Sequence, residues 1–570
     1  MKQINEFRKA ILIFCLTVTT TMSCTKLDEK LYDKILAKDF LQTREDVIKD
    51  FLRSFEHGYW TVQGVSAFSS QELPGDQLIT PTRDGDWFEG GLYQRMHYHT
   101  WTPQDQYTSD LWIVFFMGIN LATNSLEDMQ TIDPIKLNVT EVEKADFIAE
   151  LKALRAWYHL RAFDVYRNIP IVTKYKGETE SPDQSTPQEV FDYIEKELLD
   201  AMPGLPMIQD LGDAAIGRFT KGSAAAMLMR LYLNAQVYIG QDKFAECAKI
   251  AQDIIDGVYG DHELEETWDG VFAYTNAQSS EILFGFPSSF ALTHWHYEDM
   301  YFHMAPPQAQ FYFGFTDLPI YSKYSLAPGR DVDSVEYSAT LGKPFVKFQR
   351  YPDDFRLKKY KNLGNSKREG MFLYGYLPYT DGNGNTQYVK STRGYTIFAR
   401  DQVGWFKDTP PGTPLTDKES NINHADDNSG VWPVKYPVYP SNDANKVTSA
   451  FAEIRLAEVY YSLAECKYRA GDKAGAASLL NSVRKRNYPT GSPSLYSPSG
   501  AELTDEEMLD EWGREFLLES RRRTDLIRWG IFNTGTWWDK QPDADDHTKI
   551  FPIGIDVINL LPNIKQNPGY

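Results

Sequence analysis

This sequence predicts a mainly α-helical protein, built of paired helices and carrying a large loop-rich face. Three observations predict it: helix-start signals at Thr140, Thr186 and Thr504; two distant stretches sharing one helix–turn–helix layout; and a middle region, about 263–449, poor in helical periodicity and rich in turn residues. With 42% hydrophobic and 24% charged residues over 570 positions, the chain has the composition of a folded globular protein. Acids outnumber bases 79 to 59, a net charge of −20 that repels phosphate backbones and excludes nucleic acid as a natural partner.

The first element is an address. Lys2, Arg8 and Lys9 precede an uncharged, mostly apolar run from Ile11 to Thr21, and Thr21-Met22-Ser23-Cys24 follows as a small-residue cleavage site. This is a secretory signal over residues 1–23, too short in its apolar run to span a membrane. Its end resembles a bacterial lipobox, with Thr21 where an aliphatic residue is usual, so Cys24 is the expected lipidated first residue of a mature chain 24–570. Several acyl chains on one cysteine would anchor it stably. Cys247 and Cys466 remain, both in helical patterns, and imply no disulfide framework.

Residues 57–135 read as a first loop-rich region. Thr140-x-x-Glu143 and Thr186-Pro187-Gln188-Glu189 are capping boxes, in which a Thr hydroxyl and a Glu carboxylate satisfy each other's backbone N–H groups. Between them Phe147, Leu151, Leu154, Tyr158 and Ala162 recur at spacings of four, three, four and four, one face of a helix. Thr220–Tyr238 turns at Gly240-Gln241-Asp242-Lys243 and returns as Phe244–Asp256. Phe451–Ala470 turns at Gly471-Asp472-Lys473 and returns as Ala474–Arg486. That shared layout is tetratricopeptide-like, placing helical repeats at about 140–260 and 450–530. The insert 263–449 is the second loop-rich region, with a hairpin expected at Asp381-Gly382-Asn383-Gly384-Asn385. Because the repeats come from both halves, 24–570 reads as one domain.

Aromatic residues suggest where a ligand sits. Trp268–Tyr324 holds 16 of them in 57 residues, and includes Thr293-His294-Trp295-His296-Tyr297-Glu298-Asp299 and Tyr301. The earlier loop offers Asp76, then Arg83-Asp84-Gly85-Asp86-Trp87-Phe88-Glu89, then Trp101. A Trp among Asp, Arg and Gly suits a core badly, since the charges would be buried with it. It suits a surface on which a sugar ring stacks while carboxylate and guanidinium groups meet its hydroxyls. The candidate ligand residues are therefore Trp87, Trp295, Asp86, Arg83, Asp76, Tyr297, Glu298 and Tyr301, whereas Phe311, Tyr312, Phe313 and Phe315 are read as loop packing. His97-Tyr98-His99 and His294-Trp295-His296 would each put two imidazoles on one side of an extended strand. No Cys, HExxH or carboxylate spacing joins them, so no metal and no cofactor is assigned. GxSxG, P-loop, CxxC and Rossmann signatures are missing, and no catalytic carboxylate pair can be singled out.

Several segments in fixed order resemble one family. They are the Cys24 site, Leu154-Arg155-Ala156-Trp157-Tyr158 through Asn168-Ile169-Pro170, Gly217-Arg218-Phe219-Thr220-Lys221-Gly222-Ser223-Ala224, and Ser280-Glu281-Ile282-Leu283-Phe284. Then come Ile454-Arg455-Leu456-Ala457-Glu458-Val459-Tyr460, Glu515-Phe516-Leu517-Leu518-Glu519 through Arg528-Trp529-Gly530, and the ending Lys565-Gln566-Asn567-Pro568-Gly569-Tyr570. Together they are similar to the SusD-like (RagB/SusD) family of outer-membrane glycan-binding lipoproteins. The resemblance implies a right-handed superhelix of four tetratricopeptide-like units, tethered at the cell surface over a TonB-dependent, SusC-like transporter. It implies capture of oligosaccharide without cleavage, with Asp86-Trp87-Phe88 as the loop that supplies a stacking Trp. Family members also bind peptides, so a peptide-capturing protein is the alternative, and a lipid-anchored glycoside hydrolase a remote one. The charges from Glu515 to Asp525 are read as structural, paired along one helix.

Overall fold

The computed structural model describes residues 41–63, 65–178, 181–287, 303–315, 320–364, 367–438 and 450–570. The expected signal segment and Cys24 lie outside the described residues. Most of the described chain outside the insert is helical, as the periodicity predicts. Among the described residues no helix is long and apolar enough to cross a membrane.

The scaffold is a continuous stack. Its helices are α1 (Arg44–Gln63), α2 (Val65–Glu72), α3 (Leu92–Tyr98), α4 (Gln106–Thr131), α5 (Glu141–Tyr166), α6 (Pro187–Ala201), α7 (Lys221–Leu233), α8 (Phe244–Ile255), α9 (Leu456–Arg469), α10 (Lys473–Arg484), α11 (Asp505–Glu515) and α12 (Arg522–Arg528). Helix α1 packs on α4, α4 on α5, α5 on α6, α6 on α7, α7 on α8, α8 on α9 and α9 on α10. Along this series from α1 through α4 to α10 each helix touches the next, which is how a repeat array buries apolar faces that one pair cannot bury alone. The α4–α5 crossing needs Gly118: a Cβ there would sit 2.2 Å from a ring carbon of Tyr158.

The caps at Thr140 and Thr186 form as the sequence dictates. Thr140 Oγ1 accepts from the Glu143 N–H at 3.1 Å and Glu143 Oε2 from the Thr140 N–H at 2.8 Å, with the same reciprocity at Thr186 and Glu189. At Thr504 only half the box closes, because Tyr351 and Tyr496 hydroxyls donate to Glu507 at 2.7 and 2.6 Å.

Four expectations are corrected. Residues 57–135 are largely helical, holding the end of α1, then α2, α3 and α4; the true loop there is about 73–91. Thr220–Tyr238 breaks at Asn234 into α7 and a short helix Ala235–Ile239. Phe451 begins no helix: Ala450–Arg455 is a strand, paired antiparallel with Ile282–Pro287 in the register Phe451↔Phe286 and Ile454↔Phe284, and α9 starts only at Leu456. That pair closes the insert, returning the chain to the stack beside α8. Lastly, Glu515 ends α11 and Arg522 opens α12, so the charges between them do not run along one helix. Arg521 and Asp525 keep a pair four residues apart at 3.1 Å, but the others pair across elements: Arg455 meets Glu515 at 2.9 Å and Glu519 at 2.8 Å, and Arg486 also meets Glu515 at 2.9 Å, all buried.

In the insert the 381–385 hairpin is present, its strands Pro378–Thr380 and Thr386–Tyr388 paired in register. Phe313 and Phe315 are buried and Tyr312 half-buried, in keeping with loop packing. Cys247 and Cys466 are free thiols buried on α8 and α9.

Candidate ligand-binding site

The loop carrying Trp87 is built by a tight turn. Arg83 and Asp86 exchange backbone bonds at 3.0 and 2.8 Å, while Asp84 (φ 49°) and Gly85 (φ 95°) both take left-handed conformations. Two successive left-handed residues make the hairpin turn that Asp-Gly favours. The turn is held from both sides. Asp84 N–H donates to Ala425 O at 2.8 Å, and its carboxylate accepts from the Tyr395 hydroxyl at 2.8 Å. Arg393 Nη2 donates to Asp84 O at 2.9 Å. Trp87 itself has φ 66°. A left-handed tryptophan stores backbone strain, which persists only where its surroundings over-determine it.

Trp87 is half-buried, and its edge meets His303 at a ring separation of 6.0 Å and 70°. His303 stacks at 5.1 Å and 23° on Tyr321, which is 45% exposed. Beneath them the Lys323 ammonium is buried among three rings, 5.5 Å from Trp87 and 4.7 Å from both Tyr93 and Tyr324. Burial lowers the Lys323 pKa, against the opposing pull of Tyr93 and Glu89. Asp86 is exposed at the rim, 4.0 Å from the exposed guanidinium of Arg393, and Phe88 stands half-exposed beside it. The result is a supported aromatic surface edged by a carboxylate and a guanidinium, one able to stack a ring and to hydrogen-bond its substituents.

The structure brings together only part of the expected set. Trp87 and Asp86 are on this surface. Trp295, Tyr297, Glu298 and Tyr301 lie outside the described residues, although His303, where the description resumes, touches Trp87. Asp76 and Arg83 are corrections: both are buried and cannot meet a ligand here. Asp76 binds Arg522 Nε at 2.6 Å and accepts from Gly342 N–H at 2.8 Å. Burial alone would raise its pKa, but the Arg522 guanidinium outweighs this and holds it at about 2. Arg83 donates to the carbonyls of Asp426 and Ser429 at 3.0 and 2.5 Å and to Ser325 Oγ at 2.7 Å. Burial lowers its pKa to about 10 against the pull of Asp427 and Asp426. Its work is to carry the turn, not to touch sugar.

The histidine pattern is corrected as well. His97 lies on α3 and not on a strand, bonding Asp539 at 2.6 Å, while His99 caps that helix and bonds Asp543 at 2.8 Å. His294 and His296 lie outside the described residues. Trp101 is buried, its indole donating to the Tyr570 hydroxyl at 2.7 Å. Sequence reasoning missed Tyr321, His303, Lys323 and Arg393; Tyr321 and His303 fall within the aromatic-rich stretch that could have flagged them. It also missed Trp405, 44% exposed and stacked on His424 at 4.2 Å and 21°. His424 in turn bonds Asp417 at 2.9 Å, and Asp417, Glu419 and His424 place possible ligand atoms within 4.8 Å of one another.

Comparison with known proteins agrees with this architecture. A family profile described as starch-binding and associating with the outer membrane matches residues 27–233, and the SusD family profile matches residues 389–570. The chain belongs to the SusD-like family. The starch-binding protein SusD of Bacteroides thetaiotaomicron is 24% identical over 542 residues, which cover 89% of this chain and 85% of that protein. A solved laminarin-binding SusD-like protein superposes with a TM-score of 0.63 at 22% identity, covering 93% of this chain and all of the other. Surface glycan-binding protein A from Bacteroides uniformis gives a TM-score of 0.63 at 15% identity, covering 92% and 99%. At these identities the solved structures speak for the SusD-like fold.

Proposed function

We propose that this SusD-like protein is a cell-surface carbohydrate-binding protein that captures oligosaccharide without cleaving it. The observation that carries the reading is Trp87: an indole held in a strained backbone conformation, backed by His303 and Tyr321, with Asp86 and Arg393 at its rim. Holding an aromatic plane open at a cost in backbone strain has a use where a ring must stack on it. The starch-binding and laminarin-binding names of the two relatives support a sugar as the ligand. Sequence residues 1–24 support export, cleavage and a lipid on Cys24, which would place the protein on the outer membrane. Family membership supports a SusC-like TonB-dependent transporter as the partner that moves the glycan inward. By the stacking-energy scale of aromatic platforms, each ring contributes on the order of 1–3 kcal/mol, so affinity would be modest.

The test is a glycan-array screen followed by calorimetry. Trp87→Ala, Tyr321→Ala and Trp295→Ala are each expected to weaken binding of the selected glycan tenfold or more, about 1.4 kcal/mol apiece, with unchanged circular dichroism. Wild-type affinity in the Trp87 variant would overturn the reading of this surface. Peptide heats without glycan heats would favour peptide capture, and new reducing ends from polysaccharide would make the protein a hydrolase.

A further inference from the structure

Behind the loop that holds the Trp87 turn lies a cavity of about 540 Å³, within the size range of small-molecule sites. Phe345, Tyr374, Phe398 and Phe406 supply its apolar wall, and Arg400 and Thr413 polar positions on it. Arg400 is the unusual member. It is more than nine-tenths buried, with its guanidinium 4.3 Å from the Phe406 ring and 5.3 Å from the Phe398 ring. Of its five N–H donors, one reaches Thr409 O at 2.8 Å, while Nε has no partner. Its described contacts include no carboxylate within ion-pairing range. Asp426, the acid whose field favours its charge, is occupied by the backbone N–H groups of Phe406, Lys407 and Asn428. A buried cation whose donors are left unmade is costly unless something completes it.

The other charges on the cavity wall are already engaged. Asp401 accepts from Gly329 N–H at 2.9 Å and Arg330 Nη1 at 2.8 Å; Arg330 also reaches Gln349 at 3.0 Å; Asp333 pairs with Lys418 at the rim. Gln402 spends its amide on Asp331 O at 2.6 Å. The charged group left incompletely partnered on the cavity wall is therefore the guanidinium fork of Arg400. Such a fork matches a planar carboxylate, and rings around it match the faces of a sugar. The site is tied to the proposed ligand face, since Arg400 N–H donates to Asn428 O at 3.0 Å and Asp84 N–H to Ala425 O in the same loop.

We propose that this cavity is a second sugar subsite, taking the carboxylate of a uronic-acid residue on Arg400 with the four rings as its wall. It rests on the reading of the protein as glycan-binding and adds an acidic sugar to the ligands that reading allows. The test is calorimetry with trigalacturonate, galactotriose as its neutral match and triglutamate as its acidic peptide match. Wild-type protein is expected to release heat with trigalacturonate, and Arg400→Met to weaken that binding at least tenfold. Arg400→Lys, which keeps the charge without the fork, should fall between them. Thr413→Trp adds bulk at an exposed position of the lining while keeping Arg400 itself and should block the same ligand, so that a folding defect in the Arg400 variants does not decide the result. Trp87→Ala should leave trigalacturonate binding at the wild-type value. No heat from wild type, retained affinity in Arg400→Met, or Arg400-dependent heat from triglutamate of equal size each overturns the proposal. Loss of neutral-glycan binding in Trp87→Ala with trigalacturonate binding intact upholds both readings. Absence of any neutral-glycan binding with trigalacturonate binding intact overturns the Trp87 reading and upholds this one.

Discussion

The Tyr395 hydroxyl donates to the Asp84 carboxylate at 2.8 Å and accepts from the Asp427 N–H at 2.9 Å, so one phenol joins the Trp87 turn to the loop beneath it. Burial, followed by the neighbouring carboxylates of Asp426 and Asp427, raises the Tyr395 pKa, so it stays protonated as a donor across the physiological range. Removing that hydroxyl leaves the rings of the site untouched while freeing the turn that aims Trp87. Tyr395→Phe is therefore expected to lower glycan affinity about three- to tenfold, with a stability loss of about 1–3 kcal/mol, the worth of two hydrogen bonds. Calorimetry beside thermal unfolding separates the two; an unchanged Kd would mean the turn is held without Tyr395.

Asp76 and Arg522 supply an acid-side prediction. Folding brings the Asp76 pKa from the ordinary 3.8 down to about 2, Arg522 prevailing over the burial that acts against it. A carboxylate whose folded pKa is depressed adds stability that is fully present above its unfolded pKa and is lost as pH falls through the folded one. Here that contribution is about 2 kcal/mol, lost between roughly pH 4 and pH 2. Asp76→Asn is expected to cost most at pH 6–7, by about 3–5 kcal/mol because Arg522 is left buried and unpaired, and the gap to wild type to narrow by about 2 kcal/mol as pH falls toward 2. Tm measured across that range reads the narrowing.

Asp401 runs the other way. Burial raises its pKa from 3.8 to about 7, with Glu336 adding to the rise and Gly329 N–H and Arg330 opposing it. A group raised in the folded state gives its full contribution below the unfolded pKa and loses it as pH climbs through the folded one. Wild type should thus lose stability on this account between about pH 4 and pH 7. Asp401→Asn should compare progressively better with wild type as pH rises from 5 to 8. A Tm difference between the two proteins that stays constant over that span would show that Asp401 titrates normally.

What the residues made legible was local. The boxes at Thr140 and Thr186 close between residues three apart, and the Phe147–Ala162 stripe lies on a real buried helix face, because both signals are complete within one or two turns. The strand Ala450–Arg455 was hidden because its apolar run fits a helix as well as a strand until its partner, Ile282–Pro287, is known. Residues 57–135 looked loop-like because their Gly, Asp and aromatic clusters sit at 58–60 and 83–91, outweighing long helices on either side. Asp76 and Arg83 looked like ligand residues for a stronger reason. Their partners Arg522 and Ser429 lie 446 and 346 positions away, a separation over which no spacing rule operates. The same blindness hid Arg393 and Tyr395, which reach the Trp87 turn from the far end of the insert.

Gly118 tests the stacking of the scaffold independently of any ligand. A methyl at this position would meet Tyr158 ring carbons at 2.2, 2.4 and 2.5 Å, well inside contact distance. The ring cannot swing aside freely, because Tyr158 is fully buried and its hydroxyl donates to Ser54 O at 2.7 Å, on α1. One added carbon therefore forces α4 off α5 or breaks a bond to the first helix of the stack. Helix propensity alone would favour Ala over Gly by about 1 kcal/mol, whereas overpacking a core costs about 1–3 kcal/mol, so the net sign is set by how rigid this crossing is. The anchored phenol makes it rigid. Gly118→Ala is expected to lower stability by about 1–2 kcal/mol in chemical denaturation, and Gly118→Ala with Tyr158→Phe to recover part of that loss by releasing the ring. A stabilised single variant would mean the helices part without strain, and that α1 is not locked to α5 through this tyrosine.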